Sequence, residues 1–198
     1  MHLIDPVHPS TATVTLECYQ GLTWPAASLT QCSASKNSRQ LSEFVKLETY
    51  CINILLPKIE IIFPYKAQEE TVIDDQGQIL RDQRVSIRSI FIDDISLDMH
   101  LVRDLSEYIP QYRHDFLEYC VLQGIGIDSG PSRTLDLFHA GTWQLTWAGS
   151  FWPWYQQQRR GRQKSYHDIK KFQNMIGDDN EQVNHDLKRF RQKYFNDI

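Results

Sequence analysis

The sequence predicts an α+β fold over a single domain, residues 1–198. Between about residues 44 and 92, apolar and β-branched residues alternate with polar ones, the period of an antiparallel β-meander. Between about 94 and 123 the apolar residues recur at helical spacing instead. From about 165 to 196 two short amphipathic stripes, separated by Gly177, read as an αα-hairpin. A length of 198 residues suits one domain with its own core. With 41% hydrophobic and 23% charged residues, the composition is that of a folded chain, not a disordered one.

Residues 1–11, with Pro6, Pro9 and two histidines, read as an extended arm, and 12–19 alternate weakly as a strand. Residues 20–37 hold a single charge, Lys36, among Ser, Thr and Ala with Pro25 in their midst. They read as loop, with Trp24 tucked into the core. In 44–56, Val45 and Leu47 alternate with Lys46 and Glu48 before the pattern turns continuously apolar, a strand entering the interior. After Pro57, residues 58–63 resume with Ile59, Ile61 and Phe63 on one side. Segments 71–74 and 78–81 flank Asp75-Gln76-Gly77, a hairpin signal, and Val85, Ile87, Ser89 and Phe91 mark a further strand.

Either aspartate of Asp93-Asp94 can cap the helix that follows, in which Ile95, Met99, Val102, Ser106 and Ile109 form one stripe. Pro110 breaks it. Tyr112, Phe116, Tyr119 and Gln123, joined by Leu117, Cys120 and Val121, predict a second helix, central to the core and ended by Gly124 and Gly126. Near the C-terminus, Ser165 with Asp168 three residues on reads as a capping box. Tyr166, Ile169, Phe172 and Ile176 line the first helix of the hairpin; Val183, Leu187, Phe190 and Tyr194 line the second.

One stretch stands apart. Residues 138–164 hold four of the five tryptophans and end in Arg159, Arg160, Arg162 and Lys164. Trp143, Leu145 and Trp147 alternate with Thr142, Gln144 and Thr146, so this part is a strand whose tryptophans face the core. Phe151, Trp152, Trp154 and Tyr155 then cluster around Pro153, which argues against an unbroken helix there. Charge follows the same division. Residues 1–156 hold 11 Lys and Arg against 19 Asp and Glu, whereas the basic helical segment from about 157 holds 10 against 6. Aromatic rings beside a cationic run suit stacking on single-stranded nucleic acid, or a protein–protein hot spot.

Catalytic and metal motifs are absent from the sequence. GIGIDSG at 124–130 has Ser129 where a third phosphate-loop glycine belongs, and lacks the lysine of a P-loop. The pairs Asp74-Asp75, Asp93-Asp94 and Asp178-Asp179 stand where turns and helix starts use carboxylates. His114 and Glu118 are one helical turn apart, the spacing of an exposed pair as much as of a ligand pair. His139, beside Gly141 and the tryptophans, is the histidine best placed for chemistry. Cys18, Cys32, Cys51 and Cys120 include no C-x-x-C pair, and residues 1–6 lack a signal-peptide pattern, so free thiols in a cytoplasmic setting are expected.

The expected function is therefore that of a non-enzymatic interaction or accessory protein. It would hold a macromolecular partner, another protein, through an aromatic–basic surface of Trp152, Trp154, Tyr155, Arg159, Arg160, Arg162 and Lys164. Nucleic acid on the same surface is the first alternative, and an enzyme whose site is assembled from distant residues is the second. No catalytic residue, metal ligand or cofactor is assigned, and no transmembrane segment is expected.

Overall fold

Thr11–Tyr19 forms strand β1, and its side chains obey the alternation of its sequence: Ala12, Val14, Leu16 and Cys18 are buried, while Thr13, Thr15 and Glu17 are half-exposed. The computed structural model describes residues 11–29, 35–76, 78–127 and 130–176. In it β1 is flanked by two antiparallel neighbours, β4 (Val45–Asn53) and β8 (Arg84–Ile92). Outside β4 lies the edge strand β3 (Ser35–Ser42); outside β8 lie β9 (Ile95–Ser96) and β11 (Asp136–Leu137). A second antiparallel sheet has the order β10 (Ser106–Pro110), β12 (Gly141–Thr146), β5 (Lys58–Phe63), β2 (Ser28–Leu29). β6 (Thr71–Ile73) and β7 (Ile79–Asp82) pair as a separate hairpin. Helices α1 (Met99–Leu105), α2 (His114–Leu122) and α3 (Phe151–Ile176) complete the described elements.

The chain gathers into two compact units, Met1–Thr146 and Trp147–Ile198. The first contains both sheets. Each buries one face: Val14, Leu16, Tyr50, Ile52, Val85, Ile90 and Ile92 in one, Ile59, Ile61, Phe63, Trp143 and Leu145 in the other. Helix α1 contacts β8 of the first sheet and β10 and β12 of the second. The Tyr50 hydroxyl of the first sheet donates to the carbonyl of Ala27, beside β2 of the second. Each sheet is thus one-sided, and α1 and the Tyr50–Ala27 bond link the two.

Two carboxylates are buried among the described residues, Glu70 and, more deeply, Glu48. Glu48 stands opposite Leu16 in register and is only 1% exposed. Its Oε1 accepts from Lys46 at 2.7 Å, and its Oε2 from Lys36 at 2.9 Å and the Tyr50 hydroxyl at 2.6 Å. Burial alone would raise its pKa, but these three donors outweigh it and hold the carboxyl below its usual range. Burial, reinforced by the Glu48 charge, pushes the neighbouring Cys18 thiol up to about 12. Cys18 is therefore inert packing, as is the buried Cys120.

The mixed α+β class with antiparallel sheets holds, and so do the strands at β1, β5, β8 and β12. The hairpin at Asp75-Gln76 holds too: Asp74 Oδ1 accepts from the backbone of Gln76 and Gln78. The meander over 44–92 does not. β4 and β5 belong to different sheets, and β8 pairs with β1 rather than with β7. Alternation sets which face a strand buries, not which strand it lies beside. Within 20–37, read as loop, the chain forms β2 and the start of β3. Trp24 is half-buried, with the Lys46 ammonium 4.5 Å above its ring.

The helix expected from Ile95 is shorter and flanked by strand. Asp93 and Asp94 take positive φ values of 47° and 62° and form the two-residue turn between β8 and β9. The cap is instead Asp98, whose side chain accepts from His100 N at 3.0 Å and Leu101 N at 3.4 Å. After α1, Ser106 and Tyr108 are buried while Glu107 and Ile109 are exposed, a strand pattern completed by pairing with β12. The helical stripe is thus broken: Val102 and Ser106 are buried, but Ile95 is exposed and Ile109, three residues after Ser106, falls on the opposite face of the strand.

Helix α2 ends as its glycine requires. Gly124 has φ of 65°, its N–H donates to Val121 O, and the N–H of Ile125 donates to Cys120 O. The helix is not central, however. Cys120 is its one buried residue, whereas Val121 and Leu122 are 79% and 82% exposed. Helix α3 runs unbroken through Pro153 and past Ser165, so neither position interrupts it. Proline is tolerated in a first turn, where its missing N–H has no intrahelical partner to lose. Ser165 is interior, its hydroxyl donating to Gly161 O at 3.1 Å. The second helix of the expected hairpin, with Asp178-Asp179, lies outside the described residues.

Candidate functional site

Helix α3 carries the sequence-predicted surface, and its periodicity sorts those residues. A helix advances about 100° per residue, so positions spaced by three, four, seven and eleven share a face. Phe151, Trp154, Tyr155, Gln158 and Arg162 form such a stripe, and all five are buried or half-buried. Gln156, Gln157, Arg159, Arg160, Gln163 and Lys164 are exposed. Arg160 and Lys164, one turn apart, point away from the Phe151–Tyr155 side.

The aromatic residues pack on one another. Phe151 stacks on Tyr155 with centroids 5.5 Å apart and planes 16° from parallel. Trp147 meets Phe151 edge-on at 5.0 Å, and Trp152 meets Tyr155 edge-on at 6.1 Å. Trp154 lies 6.4 Å from Trp147 and 5.9 Å from Phe151. Trp147, Phe151 and Tyr155 are buried; Trp152 and Trp154 are half-buried. The seven predicted residues therefore divide. Tyr155 is enclosed by its neighbours, Trp152, Trp154 and Arg162 are partly covered, and Arg159, Arg160 and Lys164 face outward. No Asp or Glu stands between Asp136 and Asp168, so no acid of that run offsets these cations.

A second concavity lies in the first unit. A cavity of about 290 Å³ is lined by Lys66, Gln68, Gln111, Arg113, Phe116 and His139, among others. Three segments meet there, joined by their own cations and backbone. The Lys66 ammonium donates to Asp82 Oδ1 at 2.5 Å and to Phe138 O at 2.8 Å. Arg113 donates to Lys66 O at 3.3 Å while pairing with Asp115. Gln111 N donates to Ala140 O at 2.7 Å. His139 packs against Tyr112 at 4.9 Å and Phe116 at 5.0 Å. Burial, then the nearby Lys66 charge, lowers its pKa, so the imidazole is neutral at pH 7. The hydroxyl in the lining, Thr71, already donates to Asp82 at 2.6 Å.

His139 was visible as a candidate in the sequence. Lys66, Gln68, Gln111, Arg113 and Phe116 were not, because they come from segments far apart along the chain. His114 and Glu118 form an exposed pair at 3.6 Å, away from the cavity lining. Among the described residues no helix is long and apolar enough to cross a membrane. No family model, curated protein or solved structure matches the chain.

Proposed function

We propose that this protein is a non-enzymatic interaction module that holds a macromolecular partner through α3, over residues 151–164, in a cytoplasmic setting. The observation that carries this reading is the exposure of Arg159, Arg160 and Lys164 within a run, residues 137–167, that contains no acid. A run of one charge sign exposed on a regular element favours an oppositely charged surface. Trp152 and Trp154, half-buried beside it, border the contact. The free thiols of Cys18, Cys51 and Cys120 agree with a reducing compartment.

The test places a photo-crosslinking side chain at Gln163 in the full chain, in its native cells. The expected result is a discrete adduct that disappears when Arg159, Arg160 and Lys164 are changed together to Ala. Circular dichroism should be unchanged, since all three are exposed. An adduct indifferent to that triple change, or none at all, would remove this reading.

The cavity around His139 supports a second reading, an enzyme. Its neutral imidazole is in the state a general base requires. This reading needs a small ligand whose binding His139→Ala abolishes while the thermal midpoint of the free protein stays in place.

A further inference from the structure

We infer that the partner of α3 is the phosphate backbone of a nucleic-acid duplex, bound without base stacking. This rests on the interaction reading above and names its ligand. Four observations lead to it. First, between residues 156 and 164 the outward face of α3 is made of Gln156, Gln157, Arg160, Gln163 and Lys164, with Arg159 on its flank; Pro153 precedes them on that face, and Tyr166 is exposed one turn beyond on the flank. The centre of a protein–protein contact is depleted of charge and built on buried aromatic or apolar anchors. Between residues 156 and 164 this face presents no buried aromatic or large apolar anchor. Arg, Lys and Gln side chains are instead the groups that contact phosphate and sugar oxygens in wet, positively charged interfaces.

Second, the rings that would stack on unpaired bases are engaged with one another: Trp152 and Trp154 are half-buried and pack on Tyr155 and Phe151. Tyr155 is 6% exposed and lies flat against Phe151, so its face is already taken. A single-strand platform needs open ring faces. A duplex offers its phosphates outside its own stack and needs none.

Third, the element is a long regular helix. Its 26 residues span roughly 39 Å, and a helix fits the major groove or lies across the backbone. Fourth, the acidic excess lies elsewhere: residues 1–156 carry 11 basic against 19 acidic side chains. Such a body repels phosphate, which confines contact to the helix and keeps the protein from coating nucleic acid at random.

The experiment measures anisotropy of a labelled duplex of about 20 base pairs, longer than α3, over a salt series with the full-length protein. The wild type should bind, with affinity falling linearly in log–log form. The variant Arg160→Ala/Lys164→Ala should flatten that slope by about 2, one for each phosphate that the variant leaves unneutralised. A fourfold rise in salt should then weaken the wild type about tenfold more than the variant. Arg39→Ala, an exposed cation on β3, should leave the slope unchanged.

A single strand of the same length should bind no more tightly than the duplex; tighter binding would overturn the duplex assignment. Equal slopes for wild type and double variant would overturn the site. If no duplex binds at low salt while the Gln163 crosslink still yields a protein adduct, the nucleic-acid inference falls and the interaction reading stands. If both fail, both fall.

Discussion

Replacing Glu48 by Gln tests the energetic reading of the core most directly. The carboxylate is 1% exposed and receives three donors, two of them ammonium groups. The Lys46 side chain is only 17% exposed, so it cannot turn fully to water when its partner loses charge. Lys36, at 45%, can. Breaking a buried pair by neutralising one member costs about 3–5 kcal/mol, and the freedom of Lys36 places this case near the low end, about 3 kcal/mol. For a chain of this size that is a fall in Tm of roughly 6–12 °C. The effect carries a pH signature. Because the folded pKa of Glu48 is lowered, its stabilisation is fully present above the unfolded value near 4.5 and is lost as pH falls through the folded one. Urea unfolding of wild type and Glu48→Gln at pH 7 and at successively lower pH should therefore show a gap that narrows below about pH 4.5. A gap under about 1 kcal/mol at pH 7, or one independent of pH, would refute the claim that this ion cluster stabilises the sheet.

Other perturbations separate the remaining claims. Trp143, fully buried with its indole N–H donating to Thr134 O at 3.1 Å, should cost about 3–5 kcal/mol as Trp143→Ala in the same urea assay. Asp94→Gly should stabilise by up to about 1 kcal/mol, because φ of 62° strains an aspartate and not a glycine; calorimetry reads the sign. Val121→Lys with Leu122→Lys should change stability by less than about 0.5 kcal/mol per site and reduce binding of an apolar dye, since both side chains already face solvent.

The stability predictions rest on features of unequal visibility. Trp143 was recognisable as core because its neighbours alternate in polarity along six residues. Glu48 was not recognisable as buried, since its position in a run with Lys46 reads as an exposed face; only the neighbouring strand β3 brings Lys36 to it, beside Tyr50 of its own strand. Leu117 and Val121, read as part of a central helix, were misread for the converse reason. Their spacing makes an apolar helix face, and nothing local states that no second surface covers it. At the candidate site, the cations of 159–164 were plain in the sequence. That Arg162 and Tyr155 turn inward while Arg160 and Lys164 turn outward follows from α3 passing unbroken through Pro153.

Local order along this chain expresses short-range physics: backbone geometry alternates or winds side chains at a constant step, so β1, β8, β12 and the glycine stop of α2 can be read residue by residue. The partition of β4 and β5 between two sheets and the return of β8 to β1 depend on contacts across tens of residues, and the ion cluster at Glu48 on the pairing of β3 with β4. Several pairings satisfy the same polarity pattern, and the burial of one particular set of faces selects among them.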